Sequence, residues 1–444
     1  MQKKLLSGLF WVLLANLLVK PFWILGIEVG VQNAVGNEAY GFYYALFSFS
    51  YIFNILLDLG LTNYNTRNIA RHPQLITKHL SGILGIKLCL LGLYVMVTFT
   101  VGLLMGYGSD EFRLLVLLTV CQFLNSLILY LRSNFEGLLL FRWDSLFSVL
   151  DRVLMILICG FLLWAPSFSA FDVQFSIYHF VYAQLVAYGL TALLALIVIG
   201  RKARLRRIRF DLPFFVMVLK QSAPFALLVL LMASYNRIDP ILLRHLSTDA
   251  DAGVYAGAFR LLDALTMVAY LVSVPLLPVY ARLCREDRGQ VVGITRLVFI
   301  PMMLFAVGAA VALCVAADPA MQLLYGERAA DYVPVFRVVV FGIIPISLTY
   351  IFGTLLTAGG YLRQLNLFAV SSLLLNVVVN LVLIPRLGAR GSAWASLTAQ
   401  SFMAVAQVAL AVRLFGLPRK TFLPPSLSDM KQLATTLITN NNLQ

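Results

Sequence analysis

Charge is what this sequence has least of. Only 12% of its 444 residues are Asp, Glu, Lys or Arg, about half the share of a soluble domain. That scarcity excludes a soluble enzyme, and the net charge of +14 does not mark a nucleic-acid binder, because much of it sits in short loops between apolar runs. Histidine is scarce as well. The four, His72, His79, His179 and His245, have no metal-ligand spacing. The five cysteines, Cys89, Cys121, Cys159, Cys284 and Cys314, are scattered without a CxxC, so they read as packing residues and not as a disulfide framework. No nucleophile–base constellation is visible, and no loop is long enough for an extramembrane catalytic domain. The chain is therefore read as a non-enzyme with no metal and no cofactor. The apolar stretch after Met1–Phe10 runs on through Lys20-Pro21 to Val31 with no small-residue cleavage site, so a cleaved signal peptide is not expected.

What is present is apolar: 61% of the chain is hydrophobic, in runs long enough to cross a bilayer. Twelve spans are predicted, at about 8–31, 39–62, 80–106, 112–138, 146–165, 175–199, 214–236, 252–279, 292–316, 333–357, 364–384 and 390–412. Basic residues gather in alternate loops: Lys3/Lys4, Arg67/Arg71/Lys78, Arg142, Arg201–Arg209, Arg282/Arg285/Arg288, Arg363 and Arg413/Arg419/Lys420. The opposite loops are acidic or neutral, except for Arg244, Arg328, Arg386 and Arg390. The positive-inside rule then puts both termini in the cytoplasm.

The densest basic run, Arg201 to Arg209, divides the spans six and six. The halves echo one another weakly. Gly41-Phe42-Tyr43 opens the second span and Gly253-Val254-Tyr255 the eighth, while Arg142 to Val149 is echoed by Arg363 to Val370, at offsets of about 212 and 221 residues. A parallel repeat of this kind places a substrate site between lobes near the midplane. The expected fold is an all-α integral membrane protein, with about twelve transmembrane helices in two pseudo-symmetric six-helix lobes around a central cavity. The lobes are residues 1–200 and 214–413, joined by a basic cytoplasmic linker at 201–213 and followed by a polar cytoplasmic tail at 414–444.

Charges inside the spans carry the functional reading, because each costs at least ~2.5–3.5 kcal/mol at the bilayer centre and usually faces a polar cavity. Lys20, Lys87, Arg152, Arg237 and Arg260 are the candidate substrate-binding cations. Asp58, Asp239 and Asp263 are candidates for ion coupling or for stabilising a lobe. Asp58 precedes a Gly60 turn and a polar run ending in Arg67 and Arg71, which either anchor the membrane edge or meet a phosphate as it comes in from the cytoplasm. Arg237 and Asp239 point about 200° apart on a helix, so they cannot share a face. Arg260 and Asp263, three apart, can pair. Lys87 stands alone in the third span, either as a snorkelling anchor or as a site residue. The intramembrane tally leans basic, which suits an anionic cargo.

These residues carry a resemblance. Phe22 to Gly26, Asp58-Leu59-Gly60-Leu61 through Arg71, Asp239 to Leu243, Ala252 to Arg260, Pro275 to Arg282, Leu324 to Glu327, Asn376 to Asn380 and Ile384 to Ala393 follow one another in an order similar to that of Wzx-type polysaccharide flippases. Those belong to the multidrug/oligosaccharidyl-lipid/polysaccharide exporter superfamily, and the resemblance runs from about residue 7 to 413. It implies a carrier that moves undecaprenyl-pyrophosphate-linked oligosaccharide repeat units from the cytoplasmic to the periplasmic leaflet of the bacterial inner membrane. The product would be a cell-surface polysaccharide, and transport would be coupled to an ion gradient. Arg and Lys would meet the pyrophosphate. The implied partners are that lipid-linked oligosaccharide, membrane lipids and the polysaccharide polymerase machinery, with no nucleic acid. Many relatives continue into two further helices, whereas Phe415 to Gln444 is polar and cannot span. The rivals within the superfamily are a lipid II flippase and a drug/cation antiporter. The basic tally disfavours the antiporter, whose cationic drugs need an anionic or aromatic cavity. A polymerase or ligase would carry a large periplasmic loop.

Overall fold

The computed structural model describes residues 19–164, 175–203, 212–286 and 288–422. The start of the expected first span, the loop at Ser169–Asp172, most of the basic linker and the tail beyond Phe422 lie outside the described residues. Among the described residues every regular element is helical and there is no strand. The order is a π-helical segment Trp23–Glu28, α1 (Val29–Ile52), a 3₁₀ turn Phe53–Leu57, α2 (Leu61–Arg71), α3 (Ile76–Leu104), α4 (Ser109–Gly137), α5 (Phe141–Phe147), α6 (Leu150–Trp164), α7 (Ile177–Ala203), α8 (Leu212–Leu246), α9 (Asp249–Glu286), α10 (Arg288–Val315), α11 (Ala317–Tyr325), α12 (Ala329–Val339), α13 (Ile343–Leu348), α14 (Thr354–Ala358) and α15 (Leu362–Phe415).

Nine helical stretches among the described residues are long and apolar enough to cross a membrane. Two of them each hold a pair of expected spans, because two helices meet directly at a kink with a non-helical glycine, Gly36 (φ 85°) in one and Gly388 (φ 53°) in the other. The expected seventh span falls on α8. The protein is thus an all-α, multi-pass membrane protein. Pro275 and Pro278 lie inside α9 and Pro385 inside α15, as membrane helices tolerate where neighbours satisfy the freed carbonyls. Leu103, Leu104, Leu157, Phe161, Leu304, Val315 and Val405 are among the exposed side chains. In water they would be a liability, and in hydrocarbon they are the appropriate surface.

The chain divides into two compact units, residues 1–256 and 257–444. In the first, α4 packs along α7, α2 along α4 and α6 along α7. Its cores are built on Ile27, Leu46, Phe49, Leu114, Leu118 and Phe180, and on Ile69, Leu80, Ile86, Leu131 and Phe135. In the second, α12 and α13 pack on α15 and α13 on α10, around Tyr280, Phe352, Leu355 and Leu356. The unit boundary falls later than the expected lobe boundary at 201–213, because α8 packs along α1. Compactness and internal repeat are different partitions of one chain.

The contact that ties the start of α9 to α1 is made by the two glycines singled out as the internal echo. A methyl group on Gly41 would run into the carbonyl of Asp249, and one on Gly253 into the carbonyl of Asn37. Asp249 stands four residues before Gly253, and Asn37 four before Gly41. The crossing is reciprocal, as across a local two-fold axis, and only residues without a Cβ let the backbones come this close. Gln32 Nε2 clamps it by donating to the Gly253 carbonyl at 2.8 Å. Gly41→Ala or Gly253→Ala is expected to cost at least the ~1–3 kcal/mol of an overpacked core. Most of the monodisperse protein should be lost in fluorescence-detected size exclusion. Gly189→Ala, where the new methyl meets nothing within 4 Å, should match the parent.

Candidate functional site

The second expected span breaks where its sequence places an acid before a glycine. The helix tightens into the 3₁₀ turn, Asp58 leaves helical geometry, and Leu59 (φ 43°) and Gly60 (φ 82°) are left-handed before α2 begins. Lys87 of α3 reaches this break. Its Nζ donates to Leu57 O at 3.0 Å, Asp58 Oδ1 at 3.2 Å and Ser126 Oγ at 2.8 Å, and lies 5.7 Å from the Tyr130 ring centroid. An ammonium has three donors, and all three are used. Lys87 is 1% exposed, so it is a buried partner of Asp58 and not a snorkelling anchor. Thr62 also holds the carboxylate, with Oγ1 donating to Oδ1, the oxygen Lys87 meets, at 2.5 Å and its amide to Oδ2 at 3.3 Å.

A second group forms around the π-helical segment. Arg152 of α6 lies 5.4 Å from the ring of Trp23 and 5.7 Å from that of Tyr188, donates from Nη1 to Tyr188 Oη at 2.8 Å, and has Asp151 Oδ2 at 3.8 Å. The π-turn aims Trp23 inward, where Nε1 donates to Glu28 at 3.0 Å and the ring stacks on Phe180. Such turns recur at functional positions in membrane and soluble helices. Lys20 is half-buried and lies within electrostatic reach of Arg152, Arg132 and Asp151. Among the described residues it has no hydrogen-bond or ion-pair partner. Arg132 is bound to Asp144 of α5 at 2.8 Å.

Arg237 and Asp239 turn to different neighbours, as their spacing requires. Arg237 sits over three rings of α1, at 5.8 Å from Tyr44, 5.8 Å from Phe47 and 5.2 Å from Tyr51, and donates to Tyr44 Oη at 3.1 Å. Asp239 is buried and accepts from Tyr255 Oη at 3.0 Å. In the second unit, buried Arg260 donates to Tyr325 Oη at 3.2 Å, and Tyr325 stacks on Tyr332 at 3.8 Å. Asp263 is half-buried, within reach of Tyr350. Arg67 and Arg71 lie on α2, but their side chains are outside the described residues. Arg337, which falls inside the expected tenth span (333–357), is half exposed and paired with Asp318 at 2.6 Å.

Two features escaped the sequence reading. The first is the ring ladder under Arg237, whose signal was Tyr40, Tyr44, Phe47 and Tyr51 at helical spacing. The second is an ion cluster on the acidic-loop side. Arg244 of α8 bonds Glu111 of α4 at 2.6 Å, pairs with Asp249 of α9 at 3.1 Å, and lies over Phe42 and Tyr107, on which His245 stacks. Among the described residues no group of three His, Cys, Asp or Glu is placed to hold a metal.

The family described as polysaccharide biosynthesis protein matches residues 5–284. The chain belongs to that family. No curated protein sequence matches it. Its fold is similar to that of a multidrug resistance MATE family transporter of the MOP superfamily in an inward-facing conformation, at a TM-score of 0.66 and 14% identity, covering 92% of this chain and 96% of that one. It is similar to the lipid II flippase MurJ in an inward closed conformation, at 0.67 and 14%, covering 96% and 92%. A MOP superfamily transporter from Pyrococcus furiosus gives 0.59 and 14%, covering 92% and 93%. Identities this low speak for the fold alone. Family and fold together support a flippase-type transporter and agree with the Wzx-type resemblance.

The Arg244 cluster joins α4, α8 and α9 by charge. In a double-mutant cycle, Glu111→Gln and Arg244→Gln should be non-additive by about 1–3 kcal/mol in unfolding free energy. The coupling should shrink as salt rises, because the pair is partly exposed and so partly screened.

Proposed function

We propose that this protein carries undecaprenyl-pyrophosphate-linked oligosaccharide repeat units from the cytoplasmic to the periplasmic leaflet of a bacterial inner membrane, by alternating access coupled to an ion gradient. Both termini are cytoplasmic in this reading. The six-helix halves 1–200 and 214–413, joined at 201–213, are its moving parts, and the polymerase machinery takes the product. The family match gives the class of process. The observation that carries the cargo is the Lys20–Arg152 group. Two like charges lie within reach of one another, Lys20 with no hydrogen-bond or ion-pair partner among the described residues and Arg152 spending one of its five donors on a neutral phenol, with the Asp151 carboxylate no nearer than 3.8 Å. Such a pair, only partly balanced by Asp151, is relieved when a further anion arrives. A pyrophosphate supplies several charge-assisted acceptors in the fork geometry that a guanidinium matches. Trp23, Tyr188 and the ring ladder under Arg237 offer apolar faces to sugar rings beside these donors. Arg237 and Arg260 serve the same cargo in this reading, and Arg67 and Arg71 meet it at the cytoplasmic side. Asp239 and Asp263 are assigned to ion coupling in this reading, and Asp58, bound to Lys87, to stabilising its lobe.

The test is leaflet accessibility in liposomes. A fluorescent undecaprenyl-pyrophosphate oligosaccharide is followed by a membrane-impermeant quencher, with and without a proton or sodium gradient. Protein-dependent exchange of the probe is expected, faster with a gradient. Arg152→Ala should lower the rate at least ten-fold, about 1.4 kcal/mol in the barrier, and Arg152→Lys should fall between. Exchange of lipid II alone, or accumulation of a cationic dye alone, would replace this reading with the corresponding rival.

A further inference from the structure

The break in the second span is built like a cation site. Ending a helix in mid-membrane leaves carbonyls at the negative end of its dipole, and discontinuous membrane helices use such carbonyls to coordinate sodium ions. Here Leu57 supplies that carbonyl, Asp58 a carboxylate and Ser126 of α4 a hydroxyl, three oxygens from two elements converging on one point. An ordinary ion pair needs only the carboxylate. This one adds two neutral dipoles, and Ser126 Oγ also lies 3.2 Å from Leu57 O. The Thr62 amide holds the other oxygen, Oδ2, and the Thr62 hydroxyl shares Oδ1 with Lys87, so the carboxylate keeps two bonds of its own whichever cation it faces.

We propose that this is a monovalent-cation site that the chain fills with its own ammonium. Lys87 is a tethered stand-in for a bound sodium ion. Asp58 is then permanently balanced, exchanges neither sodium nor protons, and leaves any ion coupling to other residues. The inference concerns cation binding and not cargo, so it stands or falls separately from the transport reading.

The experiment compares the parent, Lys87→Ala and the double variant Lys87→Ala/Asp58→Asn, purified in detergent. Unfolding temperatures are measured in sodium, lithium, potassium and choline chloride at one ionic strength and pH. Lys87→Ala should gain a saturable sodium-dependent rise on the order of 5 °C beyond any shown by the parent, since a ligand that binds only the folded state stabilises it by mass action. The double variant should lose that gain. The proposal is overturned if Lys87→Ala responds to sodium as the parent does. It is overturned equally if Lys87→Ala fails to fold in sodium as in choline, or if the double variant keeps the extra response.

Discussion

No polar group inside a bilayer can turn to water, and this constraint organises the first unit. A seam of polar side chains runs through it, and each finds its partner on a neighbouring helix. Asn54 donates to Gln122 at 2.7 Å, and Tyr94 Oη to the Ser50 carbonyl at 2.9 Å. Lys87 fills the break at Leu57. Asn65 donates to Ser133 at 2.8 Å and to Asn134 at 3.0 Å. Each such bond in a membrane adds only about 0.6 kcal/mol, whereas an orphaned group costs several. The seam therefore does less to stabilise the helices than to forbid every packing that would leave one of its members alone. It fixes the register of α1 and α2 against α3 and α4.

The same asymmetry explains why a helix can be broken at Asp58. Freed carbonyls at a break are tolerable only if something donates to them, and Lys87 does so while meeting the carboxylate. Removing one member of a buried pair typically costs ~3–5 kcal/mol, far more than the pair adds as a whole. The break and the lysine thus require each other, and neither is intelligible alone. The glycine crossing works on shape instead. Gly41 and Gly253 each remove a Cβ so that two backbones can touch in a reciprocal register, each glycine against the residue four before the other.

The fold was legible because hydropathy reports spans directly, and the expected spans fall on helices wherever their residues are described. Two turns that the hydropathy treated as loops are direct kinks between helices at single glycines, Gly36 and Gly388, whose positive φ only a residue without a Cβ adopts readily. The break at Asp58-Leu-Gly60 was legible from its own residues. Its partner was not, because the separation of 29 positions between Asp58 and Lys87 hides a contact set by how α3 folds back. Ion pairs across long separations, such as Arg244 with Glu111, share that difficulty: charge is visible in sequence and proximity is not. The compact boundary at 256/257 was illegible for a related reason. The basic run is a feature of charge along the sequence, while the compact unit is decided by which helix α8 lies against.

Buried cations in this protein are not equivalent, and the difference lies in what holds them. Lys87 is 1% exposed, with all three donors committed within 3.2 Å, one of them to a carboxylate. Recruiting it to a substrate phosphate would mean breaking that pair in low dielectric, where the phosphate must first repay the carboxylate's loss. Arg152 has 27% of its side chain exposed, one hydrogen bond to a neutral tyrosine, a carboxylate only as near as 3.8 Å, and two ring faces. Ring contacts of a cation are worth about 0.5–2 kcal/mol, and they persist when the free edge of the guanidinium turns to a new acceptor. A carrier must bind its cargo and let it go. A cation held by rings and a phenol can do both, while one locked to a carboxylate in a closed cage can do neither, and that difference in bonding is what supports the proposal's choice of Arg152 with Lys20, and not Lys87, as the cargo's contacts.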